Sequence, residues 1–181
     1  MNFSILDSRP IVIAIAGSNG SGKTTFYETH LADSGLRFIN ADIIAEELRI
    51  SAYDAADVAA TIRNTLVARR ESFIFETVFS DPVGDKVQFL QHVAELGFEV
   101  VLIFIQIIEL ESSIQRVSMR VAQGGHNISD EKLQERFDRT RTNLVLAIQR
   151  LPHVLIFDNA DLAKPYKLVA RYAAGGLINS G

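Results

Sequence analysis

The 181-residue chain contains no cysteine and has no excess of basic residues. Without cysteine, disulfide bonds and thiolate metal sites are excluded. Its 18 lysines and arginines are outnumbered by 22 aspartates and glutamates, which gives a formal net charge of −4. Proteins that grip nucleic-acid phosphates usually carry a basic surface, so we expect no general nucleic-acid partner.

Long hydrophobic runs are also lacking. The longest, Ile11–Ala16 and Val100–Ile105, fall far short of the roughly 20 residues that span a bilayer. Residues 1–10 lack the basic start and apolar stretch of a signal peptide. We therefore expect a soluble, cytoplasmic protein without a membrane partner. Because no repeat or linker-like tract interrupts the chain, we expect one domain over residues 1–181.

Short apolar segments alternate with helical patterns along the chain, which is typical of a parallel sheet covered by helices on both faces. The predicted strands are Ile11–Ala16, Arg37–Asn40, Phe73–Thr77, Phe98–Ile107 and His153–Phe157. The predicted helices are Lys23–Ala32, Ala41–Arg49, Asp54–Arg70, Asp85–Leu96, Leu110–Ala122 and Ser129–Arg150. The sequence thus predicts a three-layer α/β/α fold with a mainly parallel five-stranded sheet and a C-terminal β-hairpin over residues 166–178. In such folds, ligands bind at the carboxyl ends of the strands.

A glycine-rich segment follows the first predicted strand and matches the pattern G-x-x-x-x-G-K-[ST] of P-loop NTPases. In that pattern, backbone N–H groups and a helix N-terminus surround phosphate oxygens. Lys23 is predicted to bind the β- and γ-phosphates, Thr24 to bind Mg²⁺, and Thr25 to reach the α-phosphate. We therefore predict that the chain binds ATP with Mg²⁺. The predicted nucleotide-binding residues are Gly17, Ser18, Asn19, Gly20, Ser21, Gly22, Lys23, Thr24 and Thr25.

Motifs of two other P-loop classes are missing. The chain has no N-K-x-D motif with which a GTPase reads its base, and no hydrophobic strand ending in Asp-Glu as in transporter ATPases. Single acids instead follow several strands, which favours a small kinase. In a kinase, one acid helps to order Mg²⁺ and another accepts the proton of the acceptor hydroxyl.

Asp42 and Glu76 are the leading acidic candidates. Asp42 follows the second strand at the start of a helix, where it suits a general base, a ligand of a metal-bound water, or an acid favoured by the helix dipole. Glu76 ends an apolar strand, where it suits binding of acceptor hydroxyls or of a metal-bound water, or simple exposure to solvent. Asp158 is interpreted as a loop-forming residue.

Arginines cluster on the two last predicted helices. Arg116 and Arg120 lie four residues apart, and Arg136 and Arg139 three apart, so each pair shares one helix face. With the intervening segment 124–126 (Gly-Gly-His), they predict a mobile helical lid over roughly residues 116–141 that stabilises phosphoryl charge. The alternative is two solvated faces paired with neighbouring acids.

Together, these segments resemble the zeta-toxin family of small P-loop kinases, especially its short bacterial members. The resemblance implies that Asp42 is the general base and that Lys23 and Thr24 bind phosphates and Mg²⁺. It further implies that Arg120 and Arg136 stabilise charge, and that Glu76 and Thr77 lie near the acceptor. The similar stretches are Gly17–Thr25, Asn40–Asp42, Phe75–Ser80, Arg116–Ile128 and Arg136–Leu144.

The leading functional hypothesis is therefore a kinase that transfers the γ-phosphoryl group to a hydroxyl of a small acceptor. By resemblance, that acceptor is a nucleotide-sugar such as UDP-N-acetylglucosamine. Two alternatives stay open: a nucleotide or metabolite kinase of the adenylate- or shikimate-kinase type, and an ATP-binding, toxin-like regulatory module that acts through a protein partner. An antitoxin-like partner is not implied by the sequence.

Overall fold

A computed structural model of the chain describes residues 4–107, 109–122, 129–161 and 163–180, with side chains except those of residues 4, 120–122, 179 and 180. The strands are β1 Ile11–Ala16, β2 Arg37–Ile39, β3 Phe73–Thr77, β4 Glu99–Gln106, β5 His153–Asp158, β6 Lys167–Ala173 and β7 Gly176–Ser180. The α-helices are α1 Lys23–His30, α2 Ala41–Leu48, α3 Ala52–Ala68, α4 Asp85–Glu95, α5 Leu110–Ala122 and α6 Asp130–Arg150.

All seven strands form one sheet in the order β2-β3-β1-β4-β5-β6-β7. The first five strands in this order are parallel, whereas β6 and β7 pair antiparallel to their neighbours. The predicted P-loop NTPase-like α/β fold with its C-terminal hairpin is thereby confirmed. The parallel strands bring their carboxyl ends to one edge, where the predicted site residues follow β1, β2 and β3.

Both faces of the central strand β1 are buried, as its uninterrupted apolar sequence predicts. Its even-numbered residues belong to a core cluster that includes Leu90 of α4 and Ala147 of α6. Its odd-numbered residues belong to a second cluster around Phe26 of α1. Helices therefore cover the sheet on two sides, and the loop after β1 is anchored in the most buried part of the molecule.

Local capping explains where the helices beside the site begin. Asn40 ends the turn after β2, and its side-chain oxygen accepts a hydrogen bond of 2.8 Å from the Asp42 amide. Ser51 in the same way accepts from the Asp54 amide at 3.1 Å, so α3 begins two residues before the predicted start. The first of these caps fixes Asp42 in the first turn of α2.

The longest helix, α6, has 21 residues and is rich in charged side chains. Within the described ranges, no helix combines the length and apolar character needed to cross a membrane.

Candidate active site

The glycine-rich loop connects the end of β1 to the first residue of α1, as predicted. At Gly22, φ is 92°, and a Cβ atom there would lie 2.6 Å from Asn159 Nδ2 and 2.9 Å from Tyr166 Oη. Only glycine fits this position, because a side chain meets both an unfavourable backbone angle and two polar atoms. The next residue, Lys23, begins α1, so the N-terminal end of that helix, with its N–H groups, adjoins the loop.

Lys23 and Thr24 both contact Glu76, which lies near the carboxyl end of the adjacent strand β3. Thr24 Oγ1 donates a hydrogen bond of 2.8 Å to Glu76 Oε2. Lys23 Nζ lies 3.8 Å from Glu76 Oε1 and donates a bond of 3.0 Å to the Ser18 carbonyl. The Glu76 side chain is only 11% exposed. The Glu76 carboxylate is therefore not simply exposed to solvent, which was one of the alternatives predicted for it.

Asn40 links the same carboxylate to Asp42. Its Nδ2 donates a bond of 3.0 Å to Glu76 Oε2, while its side-chain oxygen caps the Asp42 amide. One amide side chain therefore fixes the first turn of α2 relative to β3. We call Lys23, Thr24, Asn40, Asp42 and Glu76 the Glu76 network, since Glu76 contacts the first three and Asn40 caps the amide of Asp42.

A cleft of about 260 Å³ opens beside the Glu76 network, between α2, α3, β3 and α4. We call it the β3 cleft. Acidic side chains, basic side chains and alanines line the cleft, so it offers polar contacts and space for a small molecule. Its lining residues are Asn40, Ala41, Asp42, Ala56, Asp57, Ala59, Ala60, Arg63, Glu76, Thr77, Val78 and Lys86.

A second cleft, of about 240 Å³, lies between the end of β4 and α6 and reaches Ser18 in the phosphate-binding loop. Its lining is mostly apolar, with Phe104, Ile105 and Phe137 among the contributors. The Arg141 guanidinium, 5.8 Å from the centre of the Phe137 ring, belongs to the same wall. This α6 cleft therefore offers far fewer charged groups than the β3 cleft.

Residues after β5 hold the backbone of the phosphate-binding loop. Asn159 Nδ2 donates a bond of 2.8 Å to the Ser21 carbonyl, and Tyr166 Oη donates one of 2.9 Å to the Gly22 carbonyl. Burial raises the pKa of Tyr166, which keeps its hydroxyl protonated as a donor. Ser113 of α5 adds a bond of 2.6 Å to the Asn19 carbonyl. The loop is thus shaped from outside as well as by its own glycines.

The predicted arginines separate into different settings. Arg116 Nη2 donates to the carbonyls of Asn159 and Ala160, at 2.8 and 3.1 Å, so it braces the loop after β5. Arg139 pairs with Glu135 at 3.5 Å on α6, as the solvated-face alternative expects. Arg136 lies one turn before Thr140, whose hydroxyl bonds to the Val78 carbonyl at 3.0 Å. The Arg120 side chain and segment 124–126 of the predicted lid lie outside the described residues.

The oxygen pair formed by Thr24 and Glu76 fits a magnesium ion. Mg²⁺ prefers hard oxygen ligands and is commonly held by one or two protein oxygens together with substrate phosphates. The Thr24 hydroxyl and the Glu76 carboxylate lie 2.8 Å apart beside the loop. Among the described residues, no group of three or more histidines, aspartates or glutamates could hold a metal without such help. The donor set therefore suits a phosphate-bound ion rather than an all-protein metal site.

A family model described as an AAA domain matches residues 12–144. The chain belongs to this family. The match extends from β1 to α6 and includes the phosphate-binding loop and the whole Glu76 network. The family carries the P-loop kinase-like domain that was predicted, while the narrower assignment to zeta toxins stays a prediction.

A relative from Haemophilus influenzae, an uncharacterized protein, is 28% identical over 130 residues, covering 69% of this chain and 91% of the relative.

Three solved structures have similar folds. A chain of the AvrRxo1-ORF1:-ORF2 complex with ATP gives a TM-score of 0.74 at 18% identity, covering 96% of this chain and 62% of that one. A chain of the PezAT toxin–antitoxin system of Streptococcus pneumoniae gives 0.59 at 19%, covering 91% and 72%. A gluconokinase from Sinorhizobium meliloti 1021 gives 0.53 at 19%, covering 84% of each chain. At these identities the likeness shows the fold, and this chain spans only about 62% of the AvrRxo1 chain.

Several residues of the site were missed by sequence reasoning. Asn40 was recognised only as part of a motif, although an asparagine between a strand and a helix is a typical N-cap. Asn159 directly follows β5, at the carboxyl edge of the sheet. That position could have indicated a role beside the phosphate-binding loop. For Tyr166 and Arg63, no local pattern indicated a place beside the site.

Proposed function

We propose that the chain is an ATP-dependent kinase that phosphorylates a hydroxyl group of a small molecule bound in the β3 cleft. The observation that carries this proposal is the Glu76 network. It joins the residues predicted to hold the triphosphate, Lys23 and Thr24, to the candidate base Asp42 at the wall of that cleft. A bound acceptor therefore lies between a phosphate-binding loop and a carboxylate.

In the proposed reaction, the acceptor hydroxyl oxygen attacks the γ-phosphorus of ATP. A new P–O bond forms, the bond between the γ-phosphorus and the β–γ bridging oxygen breaks, and ADP leaves. The hydroxyl proton passes to the Asp42 carboxylate, which acts as general base. Asp42 is exposed and lines the cleft, so an acceptor can reach it without rearrangement of the sheet.

Lys23 and Thr24 are proposed to exchange partners when nucleotide binds. Lys23 Nζ, which contacts the Ser18 carbonyl and Glu76, turns to the β- and γ-phosphates. Thr24 and Glu76 hold Mg²⁺, directly or through water, and the ion supplies charge neutralisation to the phosphates. ATP as the nucleotide is further supported by the fold shared with a chain from a complex with ATP.

Arg120 and Arg136 are proposed to stabilise charge on the transferring phosphoryl group when the lid over residues 116–141 closes. For Arg136, support comes from its position on α6, one turn before a hydroxyl that bonds to the segment directly after β3. Thr77, which lines the β3 cleft, is proposed to contact the acceptor together with Glu76.

The decisive experiment replaces Asp42 with asparagine and measures acceptor-dependent ADP release and ATP affinity separately. We expect Asp42→Asn to lower kcat by about 10²- to 10⁴-fold, because the amide cannot accept the proton, with an unchanged Kd for ATP. Glu46→Gln is the matched control, since it neutralises an exposed carboxylate on the same helix. An Asp42→Asn enzyme with full activity would disprove the base assignment.

The acceptor is to be identified by an ADP-release screen over sugars, nucleotide-sugars and nucleosides. Stimulation by UDP-N-acetylglucosamine supports the activity implied by the zeta-toxin resemblance. Stimulation only by nucleosides or their monophosphates supports a nucleotide kinase. A regulatory module, by contrast, would bind a protein partner in a nucleotide-dependent way and show no acceptor-stimulated ADP release. Partner binding is suggested by two of the similar folds, since their structures are of complexes with a second protein or of a toxin–antitoxin system.

A further inference from the structure

A buried arginine forms part of the β3 cleft. Arg63 belongs to α3 and is only 8% exposed. It lines the cleft together with Asp42 and Glu76. Its guanidinium carbon lies 5.0 Å from the ring centre of Phe75 on β3 and 5.6 Å from that of Phe89 on α4. Two aromatic rings therefore hold the guanidinium at the wall of the cleft.

Among the described residues, no carboxylate forms an ion pair with Arg63. Within the part of the chain that the structure describes, no hydrogen bond or ion pair is formed by its guanidinium, and its Nε is buried without a partner. Burial alone lowers the pKa of Arg63, yet a guanidinium stays protonated in proteins. A buried charge of this kind is costly unless an opposite charge or hydrogen-bond acceptors meet it. The ring faces supply only part of that compensation.

The remaining charges of the cleft are divided between its two sides. Glu76 is already engaged with Thr24 and Asn40 near the phosphate-binding loop. On the side formed by α3 and α4, half-buried Lys86 and exposed Asp57 line the cleft together with Arg63. A ligand that reaches Asp42 with a hydroxyl therefore meets, at its other end, two cations and one exposed carboxylate, so this side carries a net positive charge.

We propose that Arg63 binds an anionic group of the acceptor, a carboxylate or a phosphate, with Lys86 as a second cation. This inference rests on the proposed kinase function and narrows its substrate class to hydroxylated acids or phosphate esters. The planar fork of an arginine matches either group through two parallel hydrogen bonds. Nε, which has no partner, is one of the donors available for this purpose.

The first test compares matched acceptors that differ in one charge. Each sugar or nucleoside is assayed beside its carboxylate or its monophosphate, with ADP release as the readout. We expect the anionic member to have a kcat/KM about 10- to 100-fold higher, the range typical of hydrogen bonds to charged groups. The pair that shows the larger ratio, carboxylate or phosphate, identifies the group bound.

Arg63 variants then assign that preference to one side chain. Arg63→Gln should lower the ratio of kcat/KM between the anionic and the neutral acceptor about 10-fold or more, chiefly through a higher KM for the anionic acceptor. Arg63→Lys, which keeps the charge but loses the fork, should recover part of the loss. Arg70→Gln is the matched control, since the Arg70 guanidinium also lies over a ring, that of Phe98 at 5.4 Å, away from the cleft.

A binding measurement separates this inference from the kinase function itself. Inorganic phosphate and acetate are titrated into protein saturated with a non-hydrolysable ATP analogue and Mg²⁺, so that the phosphate-binding loop is already filled. The Arg63 Nε–H resonance, identified by its loss in Arg63→Gln, should shift saturably with at least one of the two anions.

The outcomes are distinguishable. A saturable shift together with no transfer to any acceptor supports the anion site and contradicts the kinase function. Transfer to neutral and anionic acceptors with equal kcat/KM, or no shift up to roughly 50 mM anion, contradicts the inference even if the kinase function is correct.

Discussion

At the scale of single residues, Glu76 connects three other residues of the candidate site. Its Oε2 atom accepts from both the Thr24 hydroxyl and the Asn40 amide, and its other oxygen lies beside the Lys23 ammonium. In this structure the carboxylate pairs with the loop. In the proposed reaction it becomes available to the metal once nucleotide has bound.

We expect Glu76→Ala to lower the free energy of unfolding by about 1–3 kcal/mol in the absence of nucleotide. The reason is that the Asn40 amide and the Thr24 hydroxyl then lose an acceptor in a largely buried site. Glu76→Gln keeps an oxygen for both donors and should lose less. Urea denaturation of the two variants measures the difference, and equal losses would show that the hydrogen bonds do not matter.

How well the sequence predicted these residues depends on whether their role is local. Lys23 and Thr24 follow β1, and Glu76 lies near the end of β3, so the alternation of strands and helices was enough to predict that they share the carboxyl edge of the sheet. Arg63 is different. It sits in the middle of a helix 13 residues before Glu76 in the chain, and only the packing of α3 against Phe75 and Phe89 turns it to the cleft.

At the scale of elements, the phosphate-binding loop is held by the segment that connects β5 to β6. Asn159 and Tyr166 bond to two successive carbonyls of the loop, and Arg116 of α5 in turn bonds to the carbonyls of Asn159 and Ala160. The sequence placed Arg116 in a lid. In this structure its contacts are those of a brace, because the middle of α5 lies within hydrogen-bond reach of the loop after β5.

We expect Asn159→Ala to weaken ATP binding about 10-fold, since the Ser21 carbonyl loses the Asn159 amide as a donor and the loop is held less firmly in its shape. Tyr166→Phe should have a smaller effect, because the ring remains packed at 5.2 Å from the centre of Phe26 and only the hydroxyl is removed. Isothermal titration with ATP measures both.

The control for these loop variants is Tyr27→Phe. Tyr27 also belongs to the aromatic packing around α1, with its ring stacked 3.7 Å from that of Phe38, but it is not bonded to the loop. Unaltered ATP affinity in Asn159→Ala would mean that the glycines alone shape the loop. An equal loss in Tyr27→Phe would point to a general effect on α1.

At the scale of the whole molecule, the fold was predictable and the extent of the sheet was only partly so. Continuous apolar segments separated by helical patterns indicated five parallel strands, because a strand that is buried on both faces has an uninterrupted apolar sequence. Strand β6 is mostly half-buried and the described side chains of β7 are exposed, so their sequence signal is weaker, yet both strands continue the same sheet beyond β5. This edge also positions Tyr166, so the hairpin region contributes to the site from outside the family match.

Nucleotide binding should therefore be detectable in the stability of the entire chain. A ligand that binds only the folded state stabilises it by about 2.7 kcal/mol at 100 times its Kd. For a domain of this size, that corresponds to a rise in Tm of roughly 5–10 °C. We expect a non-hydrolysable ATP analogue with Mg²⁺ to produce this rise in the unmodified protein. Asp42→Asn should show it equally, because that variant loses proton transfer and not phosphate contacts.

Lys23→Met should lose most of the rise, since the methionine keeps the bulk of the side chain but cannot pair with phosphates. Each variant is compared with its own nucleotide-free Tm, because Lys23 is 6% exposed and its bond to the Ser18 carbonyl also contributes to the free protein. Differential scanning calorimetry with and without the analogue gives both values. If the Tm of Lys23→Met rises as far as that of the unmodified chain, the triphosphate is bound elsewhere, and the assignment of this loop as the phosphate-binding site is wrong.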